Sequence, residues 1–330
     1  MPTFLLMIES SASSKARKVC IVVPCYNEEG VIGHTVDVLI RELERMNSLG
    51  LVSAGSYICC VDDGSRDGTW REILGLAERT GRVQGIKLSA NFGHPNALVA
   101  GLFSNHHNAD VLITIDADLQ DDVSVLARMM EYHGQGKLVV YGVRVERKVD
   151  PLPKRIAAAM FYTMMSAMNG RTVRGHADFR SADARVVSDL ERFGEVNLYL
   201  RGIFPLIGYP SAQVNYERLE RHAGESKYSY VKLMSLAWQG ITSFTTTPLR
   251  IVFYTGLVMF LIAGMISLWV IWAAFNGDPI QGWSSLALLL TTFSAINMIS
   301  LGIMGEYIGK IYKEVKHRPR YIIETTTPDG

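Results

Sequence analysis

From Ile251 to Gly305 the chain carries one charged side chain, Asp278. A stretch so long and so poor in charge restricts the folds open to the chain more than any other feature. Ile251 to Phe275 is uncharged and predominantly apolar, longer than the ~20 residues that span about 30 Å of hydrocarbon. A second apolar run begins near Ser285 and ends near Gly305. Between them lies Asn276 to Trp283, a turn-rich loop without Lys or Arg. Basic residues stand outside the pair: Arg250 before it, then Lys310, Lys313, Lys316, Arg318 and Arg320. By the positive-inside rule this reads as a hairpin of two transmembrane helices, about 251–275 and 285–305, with both ends cytoplasmic. A basic cytoplasmic tail, 306–330, is expected after it.

The remaining sequence holds nearly all the charge. The 330 residues include 33 basic and 32 acidic side chains, a formal charge of +1, and 48% are hydrophobic. Near-neutrality argues against nucleic-acid binding through bulk electrostatics, so no nucleic-acid partner is expected. Cys20, Cys25, Cys59 and Cys60 form no CxxC pair and have no histidine at zinc-site spacing. They read as small buried thiols in a reducing compartment. The apolar run Phe4 to Ile8 is too short for a signal-peptide core, and the bulk of the chain is expected in the cytoplasm.

After a flexible 1–18 a single domain is expected over 19–226, and the first 145 residues of the chain alternate strand and helix signals. Val19–Pro24, Tyr57–Val61, Val83–Leu88, Asp110–Ile115 and Leu138–Val143 read as strands. Val31–Met46, Trp70–Arg79 and Asn96–Asn105 read as helices, the first with Ile32, Thr35, Val36, Leu39, Leu43 and Met46 on one stripe. This rhythm predicts an α/β fold with a mainly parallel, Rossmann-like sheet and helices on both faces. The 227–250 segment, with Leu233, Leu236, Ala237, Gly240, Ile241 and Phe244 at helical spacing, reads as an amphipathic interfacial helix; packing on the soluble domain remains open.

In parallel sheets, ligands gather at the carboxyl ends of strands. Three acidic clusters follow such ends: Pro24-Cys25-Tyr26-Asn27-Glu28-Glu29, then Asp62-Asp63-Gly64-Ser65-Arg66-Asp67, then Asp116-Ala117-Asp118-Leu119-Gln120-Asp121. No GxGxxG or GxxxxGK[ST] loop accompanies them, which disfavours a dinucleotide fingerprint and a P-loop. Two carboxylates one residue apart can direct oxygens at one hard divalent cation, which would neutralise a diphosphate leaving group. A lone DxD is weak; one that follows a strand beside two further acidic loops is strong. The Asp62 loop also offers Asp67 or Thr69 as a helix N-cap, a role compatible with ligand binding. His106-His107, adjacent at a helix end, reads as solvent-facing rather than as a metal pair.

VVPCYNEE, VDDGSRDGT, NFGHPNALVAGL and DADLQD, in this order, resemble the family-2 inverting glycosyltransferases of GT-A fold. Asp178-Phe179-Arg180, the Arg221 to Tyr228 segment, TTTPLR ending at Arg250, GEYIGKIY from Gly305, RPRY and the two-span tail narrow the likeness. Together they resemble the polyprenyl-phosphate glycosyltransferases, bactoprenol glucosyltransferases above all, over about Val19 to Ile323. No QxxRW motif of processive synthases is present.

The resemblance implies transfer of one sugar, glucose from UDP-glucose, to the phosphate of a membrane polyprenol, at the cytoplasmic face of a bacterial inner membrane. Pro24, Tyr26, Glu28, Asp62 and Asp63 would hold base and ribose, while Asp116, Asp118 and Gln120, with Ala117 between, would hold Mg²⁺ or Mn²⁺ and the diphosphate. Arg144, Arg155, Arg221 and Lys227 would grip phosphates. Asp118, Asp178 and Arg144 are the candidate catalytic residues, Asp178 lying near donor sugar or acceptor. A homotetramer is implied, with a flippase and a second glycosyltransferase downstream. Donors carrying GlcNAc, galactose, mannose or aminoarabinose fit nearly the same motifs, and a non-catalytic sugar-nucleotide scaffold is the reading from another class. The sequence departs from the pattern at His94, where lysine is common, at Asp122-Val123, where proline is usual, and at Ser181-Ala182 after DFR.

Elementary chemistry agrees with a phosphate acceptor. A phosphate monoester, with a second pKa near ~6, is already largely ionised at neutral pH and needs no strong base. What it needs is cations that offset the repulsion between two anions, and positioning.

Overall fold

The computed structural model describes residues 16–144, 176–195, 200–217, 247–275 and 282–327. The expected strands and helices form: β1 (Val19–Cys25), α1 (Ile32–Ser48), β2 (Tyr57–Asp62), α2 (Thr69–Thr80), β3 (Val83–Leu88), α3 (His94–Asn105), β4 (Val111–Thr114) and, after a helix that was not expected, α4 (Val125–Gly134), β5 (Val139–Arg144). Every residue of β1 and β2 is buried, as expected of strands covered on both faces. The predicted stripe of α1 is buried, and each fully buried Ile, Leu or Val contributes roughly 1.5–3 kcal/mol.

Further elements carried no clear signal. β6 (His176–Asp183) is followed by α5 (Ala184–Glu191), α6 (Leu200–Ile207) and β7 (Ser211–Tyr216). The eight-stranded sheet has the order β7-β5-β6-β4-β1-β2-β3-β8, where β8 is Ile323–Thr326. The core β4-β1-β2-β3 is parallel, but β6 runs antiparallel to both β4 and β5, and β8 runs antiparallel to β3. The sheet is therefore mixed. The segment expected to be a basic tail contributes its edge strand instead, with the Thr327 hydroxyl accepting from Gly85 N–H at 2.9 Å. Arg320, read as one of the basic residues flanking the spans, donates to the Glu195 carbonyl at 2.8 Å and to that of Phe193.

The chain divides into two compact units, Met1–Ser226 with Pro319–Gly330, and Lys227–Arg318. The second contains α7 (Thr247–Phe275) and α8 (Trp283–Val315) at the places expected for spans. Side chains are not described continuously along them, and among the described residues no helix is long and apolar enough to cross a membrane. The described residues thus lend the expected hairpin no support. Helix α8 also runs ten residues past Gly305, through Glu306, Lys310, Lys313 and Glu314, so its end is polar. The interfacial helix expected at 227–250 lies outside the described residues up to 246.

One buried group makes the first unit acid-sensitive. His133 lies at the end of α4, its Nε2 2.8 Å from Ser181 Oγ. Burial, then nearby Arg17, pushes its imidazole down to about 4. The unfolded chain takes up a proton near pH ~6.5 that the fold refuses, so stability falls as pH drops from about 6.5 toward 4, by about 3 kcal/mol. Urea midpoints measured across that window should show this slope in the native protein and a shallower one in His133→Gln.

Candidate active site

Because β1, β2 and β4 are parallel, their carboxyl ends lie on one rim, with Cys25 paired to Asp62 and Val22 to Thr114. The three acidic loops therefore do converge. They are tied together by short bonds: Asp63 N–H donates to the Cys25 carbonyl at 2.9 Å, Asn27 N–H to Ser65 Oγ at 2.9 Å, and Glu28 N–H to Thr69 Oγ1 at 2.8 Å. The Thr35 hydroxyl of α1 donates to the Ala117 carbonyl at 2.6 Å, anchoring the DxD loop from below. Gly64, at φ +67°, permits close approach of two loops, since a Cβ there would lie 2.5 Å from the Ala90 carbonyl carbon.

The two carboxylates of the Asp62-Asp63 pair serve the loops themselves. Asp63 accepts from Phe92 N–H at 2.7 Å and Gly93 N–H at 2.9 Å, which orients the entry to α3. Asp62 Oδ1 accepts from Ser65 N–H at 3.0 Å, while its Oδ2 is buried with no hydrogen-bond partner. Tyr26 is exposed beside them and Pro24 is buried.

In the DxD loop, Asp116 and Asp118 are partly exposed whereas Gln120 is buried. Asp118 Oδ1 accepts from Gln120 N–H at 3.2 Å across Leu119, which sits at φ +51°. Such a conformation is unusual for leucine and costs about 1–2 kcal/mol, strain held in the loop that carries both carboxylates. Asp121, the last acid of the run, points inward instead. It is buried and accepts from Arg144 Nη2 at 3.1 Å and from the Tyr216 hydroxyl at 2.5 Å. Arg144 Nε also donates to Tyr216 at 2.9 Å, so this arginine braces the DxD loop against β5 and β7.

The antiparallel register explains why Asp178 joins the site. Thr114 pairs with Arg180, and continuing one strand up and the other down brings Asp178 level with Asp116. Arg180, 2% exposed, donates to Asp178 Oδ1 at 2.7 Å and to the Leu200 carbonyl at 3.1 Å, and stacks on Phe204. Arg201, which no motif marked, holds Asp178 through Nε at 3.2 Å and Nη2 at 2.8 Å. Burial alone would raise the Asp178 carboxyl, but Arg180, Arg201 and His94 hold it well below the usual range. A carboxylate so held is a poor base and a good anchor. His94, at the first turn of α3, lies between the two clusters, its Nε2 3.5 Å from Asp116 Oδ1 and 3.9 Å from Asp178 Oδ2. Asp116 is raised by burial, then lowered by His94 and raised again by Asp121, Asp178 and Asp118. Arg155, Arg221 and Lys227 lie outside the described residues.

A carboxylate-rich rim beside an arginine-clamped aspartate could hold anions through cations. The family model for Glycosyl transferase family 2 matches residues 20–188. An uncharacterized glycosyltransferase of Bacillus subtilis, YkoT, is 42% identical over 304 residues, covering 92% of this chain and 90% of the relative. The bactoprenol glucosyl transferase of Shigella phage SfX is 36% identical over 310 residues, covering 93% and 99%. Among solved structures, glucosyl-3-phosphoglycerate synthase of Mycobacterium tuberculosis aligns with a TM-score of 0.45 at 17% identity, over 70% of this chain and 79% of that one. By the family match and the identity to YkoT, the chain belongs to glycosyl transferase family 2. It is a glycosyltransferase.

Proposed function

We propose that the chain is an inverting, non-processive enzyme that moves one glucose from UDP-glucose to the phosphate of undecaprenyl or another polyprenyl phosphate. The reaction is assigned to the cytoplasmic face of a bacterial inner membrane, with both termini cytoplasmic. The observation that carries this reading is the placement of His94 between Asp116 and the Asp178 clamp, which sets the DxD loop against Arg180 and Arg201. The bactoprenol glucosyl transferase of Shigella phage SfX, similar over nearly the whole chain, supports the acceptor.

Asp116 and Asp118 suit a divalent cation. Glu28 is raised by burial and by Asp118, Asp67 and Asp116, so the rim is crowded with negative charge that a cation would offset. An oxygen-only donor pair favours Mg²⁺ or Mn²⁺ over softer metals. Bound there, the metal would stabilise the charge of the departing nucleoside diphosphate. Tyr26 offers an exposed ring to the base, and Glu28 an oxygen to the ribose. Arg201, about half exposed, attracts the acceptor phosphate, while Asp178 holds that guanidinium in one orientation. Arg155, Arg221 and Lys227 are assigned to the same anions. The ionised acceptor oxygen attacks directly, so no aspartate need remove a proton.

Helices α7 and α8 are assigned to the membrane. In support, residues between Ile251 and Gly305 carry only Asp278, and Phe253, Leu261, Leu268, Trp272, Leu286 and Met298 are exposed. Ser294, Ala295, Ser300, Gly302 and Gly305 allow close helix packing in a homotetramer. The lipid-linked product then requires a flippase and a second transferase. Another donor sugar is the alternative, since among the described residues none on the rim singles out one hydroxyl.

The test is thin-layer separation of lipid products from purified protein, undecaprenyl phosphate and Mg²⁺ or Mn²⁺ with a panel of UDP-sugars. A glucolipid made from UDP-glucose is expected. A product from another sugar alone would reassign the donor, and no lipid product from any would sink the acceptor assignment.

A further inference from the structure

At the far end of α3 from His94, about 18 Å along the helix, a second group of metal-capable side chains forms. His106 caps α3, His107 follows it, and Glu191 ends α5. Ligand atoms from these three lie within 4.8 Å of one another, and theirs is the one such grouping of three or more among the described residues. We propose that His106, His107 and Glu191 bind a zinc-type divalent cation, separate from the acidic rim.

The tautomer of His106 carries the argument. Its Nδ1 lies 2.9 Å from the Phe103 carbonyl, an acceptor, so Nδ1 must bear the proton. In the neutral ring Nε2 then presents a lone pair. It is buried, has no hydrogen-bond partner, and stands 3.5 Å from Glu191 Oε2, an oxygen that is also an acceptor. Two acceptors so placed repel unless a proton or a metal cation lies between them, and a third donor beside them favours the metal. A ring nitrogen whose opposite N–H is fixed by a carbonyl is the usual state of a metal-bound histidine. The His107 ring, with its centroid 3.7 Å from that of His106, brings the third donor.

Two nitrogens and one carboxylate match zinc, with water in a fourth position, and match poorly the hard cations expected at Asp116 and Asp118. Ligand atoms on a tetrahedral zinc stand roughly 3.4 Å apart. The exposed His107 and Glu191 side chains must therefore close by about 1 Å around the buried His106, which rotamer adjustment allows. Occupancy would tie α3 to α5.

The experiment uses the untagged full chain in detergent, stripped of metal and then held in saturating Mg²⁺ so that the rim is occupied. Zinc alone is titrated, and Co²⁺ alone serves as a spectroscopic probe of geometry. One zinc per chain is expected, with tetrahedral cobalt absorption. His107→Ala and Glu191→Gln, both at exposed positions, should each weaken binding about tenfold or more and abolish that absorption. No zinc uptake under Mg²⁺, or uptake unaltered in both variants, would overturn the proposal. His106 and Glu191 would then be joined by a proton as an ordinary ion pair.

Discussion

Asp116→Ala and Asp118→Ala should each lower sugar transfer about 10³-fold, the scale lost when a group that stabilises developing charge is removed. The stability of the same position should move the other way. Asp116 is held above its usual pKa by burial and by Asp121, Asp178 and Asp118, with only His94 opposing. Its ionised form therefore opposes folding at neutral pH, and the cost disappears as pH falls through the raised folded value and below the unfolded one. Asp116→Asn keeps the shape without the charge, so metal-free Asp116→Asn should melt above the native protein while losing sugar transfer on the same scale, about 10³-fold. Thermal melts with and without Mg²⁺ check this, and the native protein alone should gain stability from the metal. Full activity in either alanine variant would remove the metal assignment. A lower melting point in Asp116→Asn would show that its charge is structural.

The largest loss of stability is expected from Arg180→Met. Arg180 is buried, bonds Asp178 and the Leu200 carbonyl, and stacks on Phe204. Removing it leaves that mostly buried carboxylate to Arg201 and His94 and frees the Leu200 carbonyl, which costs about 3 kcal/mol and lowers the melting point by roughly 10 °C. Arg201 contacts the same aspartate from solvent, so Arg201→Ala should cost no more than about 1 kcal/mol. Equal losses in the two variants would contradict this ranking. The clamp has a defined pH signature. Asp178 is depressed, so its contribution is complete above the ordinary aspartate range near ~4 and is lost as pH falls below it. That window lies below the His133 one, and the two should separate in an acid titration of stability.

The parallel strands β1, β2 and β4 were legible because they are covered on both faces and so are written in largely apolar runs. β6 was not, for a physical reason. It carries Asp178 and Arg180 into the site and Ser181 against His133, so its sequence is too polar to read as a central strand. β8 escaped notice because only Ile323 of its four residues is apolar, and its pairing partner, β3, lies more than two hundred residues earlier. The acidic rim was readable as three clusters after three strands, yet the clusters divide their labour in ways that spacing could not reveal. Asp63 orients the entry to α3 and Asp121 anchors Arg144 and Tyr216, while Asp116 and Asp118, like Glu28, stay partly exposed. His106, expected to face solvent, is buried.

By itself the sequence determined the α/β class, the strand ends where ligands collect, the loop whose aspartates suit a cation and the family to which all of these belong. These are properties of local pattern, set by side-chain period, backbone propensity and residues adjacent in the chain. Only the tertiary structure decided which carboxylates are committed and which are open, because that depends on partners brought from far along the chain. Arg201 reaches Asp178 through the packing of α6, and His94 lies between two loops through the docking of α3. Burial and Coulomb energy are summed over neighbours in space, and no window of sequence contains them.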